Sequence, residues 1–342
     1  MTGTERIMMT LGGQKADRVP TMLHAFMPAA AEAGLSMAEY RSSAKNIARA
    51  HIDFVHKYGL DGILPDVDTC LLAGAVGTKI DLPEHEPARP VGPASTNIKE
   101  LLELMDPARV AKDERIKILV EAIHLMRKEV GGEILIRGHC DQMAFSLTMI
   151  AYGMQRFLMD LTDEDLEEDI LALLERAYLV HLEFQKMMMD AGADITGFGD
   201  SSSGPALISR AMFKKFALPF HKKLQAELAR RNILTVCHIC GNVDIIAEDM
   251  ADIGYAAVEI DQKTDIARAA EVFRGKSVVF GPIDPSGMFF FGTPAKMAAE
   301  VRRVLDFFHG KGIVLGAGCA IPSGAPEANI RAFVEAARAY SL

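Results

Sequence analysis

A histidine and a cysteine one residue apart, His238 and Cys240, close the apolar run Leu234-Thr235-Val236-Cys237, just ahead of Gly241 and Asn242. On a strand, residues two apart project to the same side, so an imidazole nitrogen and a thiolate would share one face. Those are two donors of a soft metal site. A third of the same kind is Cys319, in Gly316-Ala317-Gly318-Cys319-Ala320-Ile321-Pro322 at the end of another apolar stretch. Zinc favours thiolate and imidazole, and structural zinc is usually closed by four protein ligands. With three donors evident, the pattern predicts a catalytic zinc ion (Zn2+) held by His238, Cys240 and Cys319, its fourth position open to substrate. Two thiolates load negative charge onto the metal. A thiol entering there would lose its proton yet keep a nucleophilic sulfur, which suits alkyl transfer to sulfur better than activation of water.

The competing reading makes Cys240 and Cys319 small buried apolar residues and His238 a satisfied core histidine. Cys237 points opposite to its neighbours and reads as structural, as does Cys70. His139-Cys140 is a weaker second ligand pair, because adjacent residues diverge on a strand.

Such donors need strands to carry them, and short apolar strands alternate with amphipathic helices along the whole chain. The candidate strands are Val19–Phe26, Gly62–Val67, Glu133–Cys140, Asp194–Phe198, Ile233–Ile239, Ala256–Ile260, Ser277–Gly281 and Gly312–Leu315. Several are continuous aliphatic runs, as in parallel strands covered on both faces. Helix signals lie between them. Ser42 to His56 is amphipathic, Thr162-Asp163-Glu164-Asp165 resembles a capping box before a helix running to about Met189, and Ser209 precedes another helix. Thr293-Pro294 and Pro326 put proline at helix starts. The pattern predicts an α/β fold, a (β/α)8 TIM barrel forming one domain over residues 1–342. Extra helices in about 68–132 are expected to cap one end. A doubly wound fold would want a phosphate fingerprint after an early strand, and Gly12-Gly13 sits in a polar turn before the first.

A barrel places chemistry at the carboxyl ends of its strands. Asp66 and Asp68 follow the second strand, His139, Cys140 and Asp141 the third, and Asp200 the fourth. Glu259 and Asp261 close the sixth, and Asp284 follows the seventh.

The chain has 342 residues, 49% of them apolar, enough for a large core. A net charge of −9 and the lack of a basic stripe interleaved with aromatics argue against a nucleic-acid partner. No apolar run is long enough to span a membrane. The start, Met1-Thr2-Gly3-Thr4-Glu5-Arg6, lacks the form of a signal peptide. Five cysteines, an odd number, fit reduced cytoplasmic thiols.

His238-Ile239-Cys240-Gly241-Asn242, Gly281-Pro282-Ile283-Asp284-Pro285, Gly292-Thr293-Pro294 and the Gly316–Pro322 segment together resemble the uroporphyrinogen decarboxylase superfamily. More narrowly they resemble its methylcobamide:coenzyme M methyltransferase branch. The likeness extends to Arg6–Pro20 and to Asp200-Ser201-Ser202-Ser203-Gly204. It implies a barrel enzyme whose zinc, held by His238, Cys240 and Cys319, binds a small thiol such as coenzyme M. The methyl donor would be a methylcobamide carried by a corrinoid protein. True decarboxylases carry an Arg-Gln-Ala-Gly-Arg run near the N-terminus that grips substrate carboxylates. Here that region reads Thr21-Met22-Leu23-His24-Ala25-Phe26-Met27-Pro28, without arginine, and Gly-Cys-Ala replaces their Gly-His-Gly turn. The methyltransferase reading is therefore preferred over decarboxylation, over a non-catalytic zinc or corrinoid module and over a zinc hydrolase.

Supporting roles remain open between alternatives. Asp200 and Glu259 would fill the fourth metal position at rest, accept from His238, or cap helices. A helix beginning after Gly241, at Asn242, would offer N–H groups to an anionic tail such as a sulfonate. Asp66 and Asp68 read as solvated or structural carboxylates, His24 as a cavity-lining residue, and Met187-Met188-Met189 as core packing.

Overall fold

Aliphatic runs flanked by amphipathic helices close into a barrel in the computed structural model, which describes residues 1–341. The strands are β1 (Met22–Leu23), β2 (Gly62–Ile63), β3 (Leu135–Gln142), β4 (Ile195–Gly199), β5 (Thr235–Ile239), β6 (Ala257–Ile260), β7 (Val278–Ile283) and β8 (Ile313–Ala317). Each pairs in parallel with the next. A bridge between Thr21 and Leu315 joins the first to the last. This is the (β/α)8 barrel expected.

From the third strand onward the expected boundaries hold to within two residues. The first two strands are shorter than expected. Pro20 and Pro65 have no N–H to give a ladder, and Phe26 already opens the helix Phe26–Glu32. Ser209 and Thr293 cap their helices as expected, accepting from Met212 N and Lys296 N. The long helix starts differently. Thr162 donates its hydroxyl to Met159 O, and Asp163 caps a short turn, Glu164–Leu166, leading into Glu167–Asp190. Pro326 stands one place ahead of the last helix, Glu327–Ala339.

Strand alternation builds the lumen in layers. The layer at the amino end is apolar, formed by Met22, Leu64, Leu135, Ile195, Val236, Ala257, Val278 and Val314, with Ile7 of helix α1 (Gly3–Leu11) packed into it. Thr2 and Glu5 form a capping box on α1. Arg6 and Arg18 both bind Asp61 at the start of β2, through Arg6 Nη1 at 2.5 Å and Arg18 Nη1 at 2.9 Å, which pins α1 across this end. Trimming Ile7 to valine should cost about 1 kcal/mol of unfolding free energy in urea, the usual loss for one buried methylene.

The expected capping segment, 68–132, is more varied than a set of helices. It contains the helix Leu71–Ala75, an antiparallel ribbon of 79–81 with 89–92, the helix Ile98–Leu104 and a 3₁₀ turn, Pro107–Lys112. It ends in helix Glu114–Val130, which packs on Ala44–Tyr58 as an ordinary barrel helix.

The middle layer holds a buried ion pair. Arg137 Nη1 and Nη2 donate to the two oxygens of Glu259 at 3.1 and 3.0 Å, and the guanidinium lies over the Phe280 ring. Gly197 on β4 leaves room for this, since a Cβ there would run into Arg137 Nε. Above the pair the lumen opens into a polar mouth. No helix among the described residues is long and apolar enough to cross a membrane.

Candidate metal centre

The same alternation carries β5 from Val236, in the amino-end layer, to His238 and then to Cys240 at the mouth. His238 Nε2 lies 2.8 Å from Cys240 Sγ, and Cys240 Sγ lies 3.7 Å from Cys319 Sγ. All three donor atoms fall within 4.8 Å of one another, and no other such group of metal-binding side chains occurs among the described residues. Zinc–sulfur bonds of about 2.3 Å set the sulfurs of a tetrahedral site about 3.7 Å apart. The sulfur pair already has that spacing.

Each donor is held from behind. His238 Nδ1 donates to the backbone carbonyl of Glu259 at 3.1 Å, which turns Nε2 toward the sulfurs. The Cys240 N–H donates to Ser201 Oγ at 3.1 Å. Gly318 N donates to Ile283 O at 2.8 Å, fixing the turn that presents Cys319. That turn passes close over Asp261 and Gln262, where a Cβ at 318 would sit 3.0 Å from backbone.

The protons are arranged for ligation. A hydrogen bond from Cys319, helped by His238 and opposed by burial, holds the Cys240 thiol down to about 3. Cys319, hydrogen-bonded to that thiolate and itself buried, is pushed up. Burial would lower His238, but the adjacent Cys240 thiolate raises it to about 9. One thiolate, one thiol and a proton-sharing imidazole match the donor set zinc takes, with protons released as it binds. The cluster is partly exposed at the mouth, and no fourth His, Cys, Asp or Glu joins it among the described residues.

The other expected residues are placed otherwise. Asp200 is buried and turns away from His238. Its Oδ1 accepts from Ser146 N at 2.8 Å and its Oδ2 faces His221 Nε2 at 2.9 Å, so both oxygens are committed. Glu259 serves His238 through its backbone carbonyl, while its carboxylate belongs to Arg137. Asn242 builds a turn, donating to Asp244 Oδ2 and Lys263 O and accepting from Asp244 N. Only a 3₁₀ turn, Asp244–Ile246, and a short helix follow it. Of the N–H groups expected to hold an anionic tail, Gly241 is bonded to Asp261, Val243 to Thr264 and Asp244 to the Asn242 side chain. Asn242→Ala should therefore leave metal content unchanged and cost about 1 kcal/mol of stability, the scale of a lost capping bond.

Asp66 and Asp68 are buried rather than solvated. Asp68 binds Arg115 and the N–H and thiol of Cys70, whereas Asp66 contacts His24. Burial alone would raise Asp66, but His139, His24 and the Val67 N–H lower it. Asp141 turns to the Leu72 N–H, Asp261 to Gly241 and Lys263, and Asp284 caps the turn at Ser286. Cys140 and Cys237 are buried, and neither joins the cluster. Met188 is buried in the core, with Met187 and Met189 packed against it. Sequence alone assigns no role to Arg137 or His221, and none to Ser201 beyond its place in the Asp200–Gly204 segment. An arginine on an apolar strand was the available signal for the first.

Residues 2–340 match the family described as uroporphyrinogen decarboxylase (URO-D). A methylcobamide:CoM methyltransferase, MtbA, from Methanosarcina acetivorans is 30% identical over 226 residues, which cover 66% of this chain and 64% of that protein, just under two thirds of its length. The corresponding MtaA of Methanosarcina barkeri is 27% identical over 340 residues, 98% of this chain and 97% of that one. A solved methyltransferase structure from Methanosarcina mazei shares the fold, with a TM-score of 0.86 at 22% identity over 98% of both chains.

Proposed function

The chain belongs to the uroporphyrinogen decarboxylase family, and we propose that it is a zinc-dependent methyltransferase within it. It moves a methyl group from a methylated corrinoid, carried by a partner protein, to a small thiol, coenzyme M or an analogue. The observation carrying this reading is the convergence of His238, Cys240 and Cys319 at the barrel mouth, with no fourth protein ligand among the described residues. The relatives named methylcobamide:CoM methyltransferase support it.

His238, Cys240 and Cys319 would hold the metal. When bound, zinc supplies a position where the acceptor thiol loses its proton and keeps a nucleophilic sulfur. The protein's part is to hold those ligands in register. The Glu259 carbonyl orients the imidazole, Ser201 fixes the Cys240 backbone, and the Arg137–Glu259 pair makes a rigid floor beneath them. The five free cysteines suit a reducing compartment such as the cytoplasm.

Decarboxylation fits the mouth poorly. A substrate bearing several carboxylates needs free cations, and the nearby arginines, Arg137 and Arg115, are committed to Glu259 and Asp68. The test is a spectrophotometric assay of methylcobalamin against a panel of small thiols that includes coenzyme M. Thiol-dependent loss of methylcobalamin, with the S-methylated product recovered, is expected from zinc-loaded protein. Absence of turnover with every thiol, from protein shown to contain zinc, overturns the reading.

A further inference from the structure

The turn after β4, Asp200-Ser201-Ser202-Ser203-Gly204, runs alongside the last residues of β5, the strand that carries two of the three metal donors. The backbone N–H of Asp200 donates to the His238 carbonyl at 2.9 Å, and the Cys240 N–H donates to Ser201 Oγ at 3.1 Å. Gly204 passes so close to Ile239 that a Cβ there would stand 2.9 Å from Ile239 Cγ2. Three consecutive residues of the metal strand are thus set by one turn.

Serine hydroxyls constrain a turn only weakly, so the position of this one depends on its anchors. They converge on Asp200, only 1% exposed. Asp200 Oδ1 accepts from Ser146 N at 2.8 Å, at the start of helix Ala144–Tyr152, and Ser146 Oγ accepts from Ser202 N at 3.0 Å. Asp200 Oδ2 accepts from His221 Nε2 at 2.9 Å. A carboxylate only accepts, so the imidazole carries a proton on that nitrogen.

His221 sits on helix Leu218–Arg230, outside the strands, and is as buried as Asp200. Its other end is fixed too. The Tyr255 hydroxyl donates to the His221 carbonyl at 3.0 Å and lies 3.1 Å from His221 Nδ1. The rings of Phe198 and Phe213 flank the imidazole. Closed off in this way, the pair acts through the turn rather than on a ligand.

We propose that His221, through Asp200, is a positioning residue for the metal centre: the buried pair fixes the turn 200–204, and the turn sets Cys240 against His238 and Cys319. This rests on the metal reading above and adds what keeps an open site in shape. Three protein ligands lack the closure that a fourth gives a structural site, so the strand ends must be held by the chain itself. Without the His221 contact the Asp200 carboxylate is left half-bonded, the turn loosens, and the Cys240 backbone loses its fixed acceptor.

Two readouts test it: zinc affinity, by competition with a chromophoric chelator, and the absorption bands of cobalt(II)-substituted protein, which follow ligand geometry. His221→Phe keeps the aromatic packing and removes the donor to Asp200. It should weaken zinc binding by about tenfold, the low end for partners behind metal ligands, and shift the cobalt bands. His221→Gln still offers an N–H to Asp200 and should stay within about threefold of the wild type. Leu135→Val, in the apolar layer at the other end of the lumen, is the control for lost stability and should leave both readouts unchanged. If His221→Phe does not fold, Ser201→Ala removes only the last link, the acceptor of the Cys240 N–H, and should weaken zinc binding by a similar factor. Native affinity with unshifted bands in folded His221→Phe, or in folded Ser201→Ala where it stands in, overturns the proposal. So does an equal loss in Leu135→Val, or a loss that His221→Gln does not restore. A wild type that binds neither zinc nor cobalt ends the metal site and this proposal together. Failure of zinc-loaded protein to turn over any thiol counts against methyl transfer alone, and the metal measurements still decide the role of His221.

Discussion

Replacing Cys240 by alanine should strip the protein of zinc and abolish thiol-dependent loss of methylcobalamin while leaving the barrel folded. Cys240 sits between the other two donors, 2.8 Å from His238 Nε2 and 3.7 Å from Cys319 Sγ, so its loss leaves an imidazole and one thiol with no bridging donor. Changes one shell further out already weaken metal sites by roughly 10–100-fold, and removing a ligand should cost more than about a hundredfold in affinity. Metal analysis of dialysed protein is the readout, expected to fall from about one zinc per chain to a small fraction. Cys319→Ala should behave alike. Cys237→Ala is the contrast, because that thiol is buried on the opposite side of β5, 4.0 Å from His221 Nδ1. It should lose some packing and keep the metal. Zinc retained at full occupancy in both Cys240→Ala and Cys319→Ala would dismiss the three-ligand site.

Arg137→Leu should produce the largest loss of stability among single lumen substitutions. The guanidinium is 1% exposed and its partner Glu259 6%. Removing it leaves a carboxylate buried without compensation, which costs about 3–5 kcal/mol when one member of a buried pair is lost. Urea unfolding of Arg137→Leu measures it, and the double variant Arg137→Met/Glu259→Leu should recover most of the loss, since the cost lies in the orphaned charge. The pair also carries a pH dependence of defined sign. Burial opposes ionisation of Glu259, but Arg137 and then His238 outweigh it and lower the carboxyl from 4.5 to about 2. Its contribution is therefore complete above about 4.5 and is lost as the pH falls from there toward 2. That segment of the acid-unfolding curve should flatten in the double variant. Because the Glu259 carbonyl orients His238, Arg137→Leu should also weaken metal binding, by about tenfold.

Much of the molecule is legible in local sequence. Strand positions from β3 to β8 follow from aliphatic runs, because a parallel strand buried on both faces tolerates little else. The two proline-bearing strands are shorter than their apolar runs, since composition alone does not say where the ladder stops for want of an N–H. The candidate metal donors are legible for a similar reason. Thiolate and imidazole are rare enough together, and a spacing of two on a strand forces them onto one face.

Partnerships across the lumen are a different matter. Arg137 and Glu259 lie 122 residues apart in sequence, and Asp66 reaches His24 from 42 residues away. Asp200 closes the strand before β5, as expected of a candidate ligand, yet His221 on an outer helix and Ser146 N take both its oxygens. The N–H groups of Gly241 and Val243 look free in sequence because their acceptors, Asp261 and Thr264, come from the following strand end.

The sequence by itself determined the period of the strands, the barrel they imply and the chemistry of its three donors, all properties of residues near one another in the chain. Only the tertiary structure decided which carboxylate faces which cation, which N–H groups remain free and which turn holds the strand end that carries His238 and Cys240. Those depend on which strands the closed barrel makes neighbours and on the stagger between them, and that information is spread over contacts between distant parts of the chain.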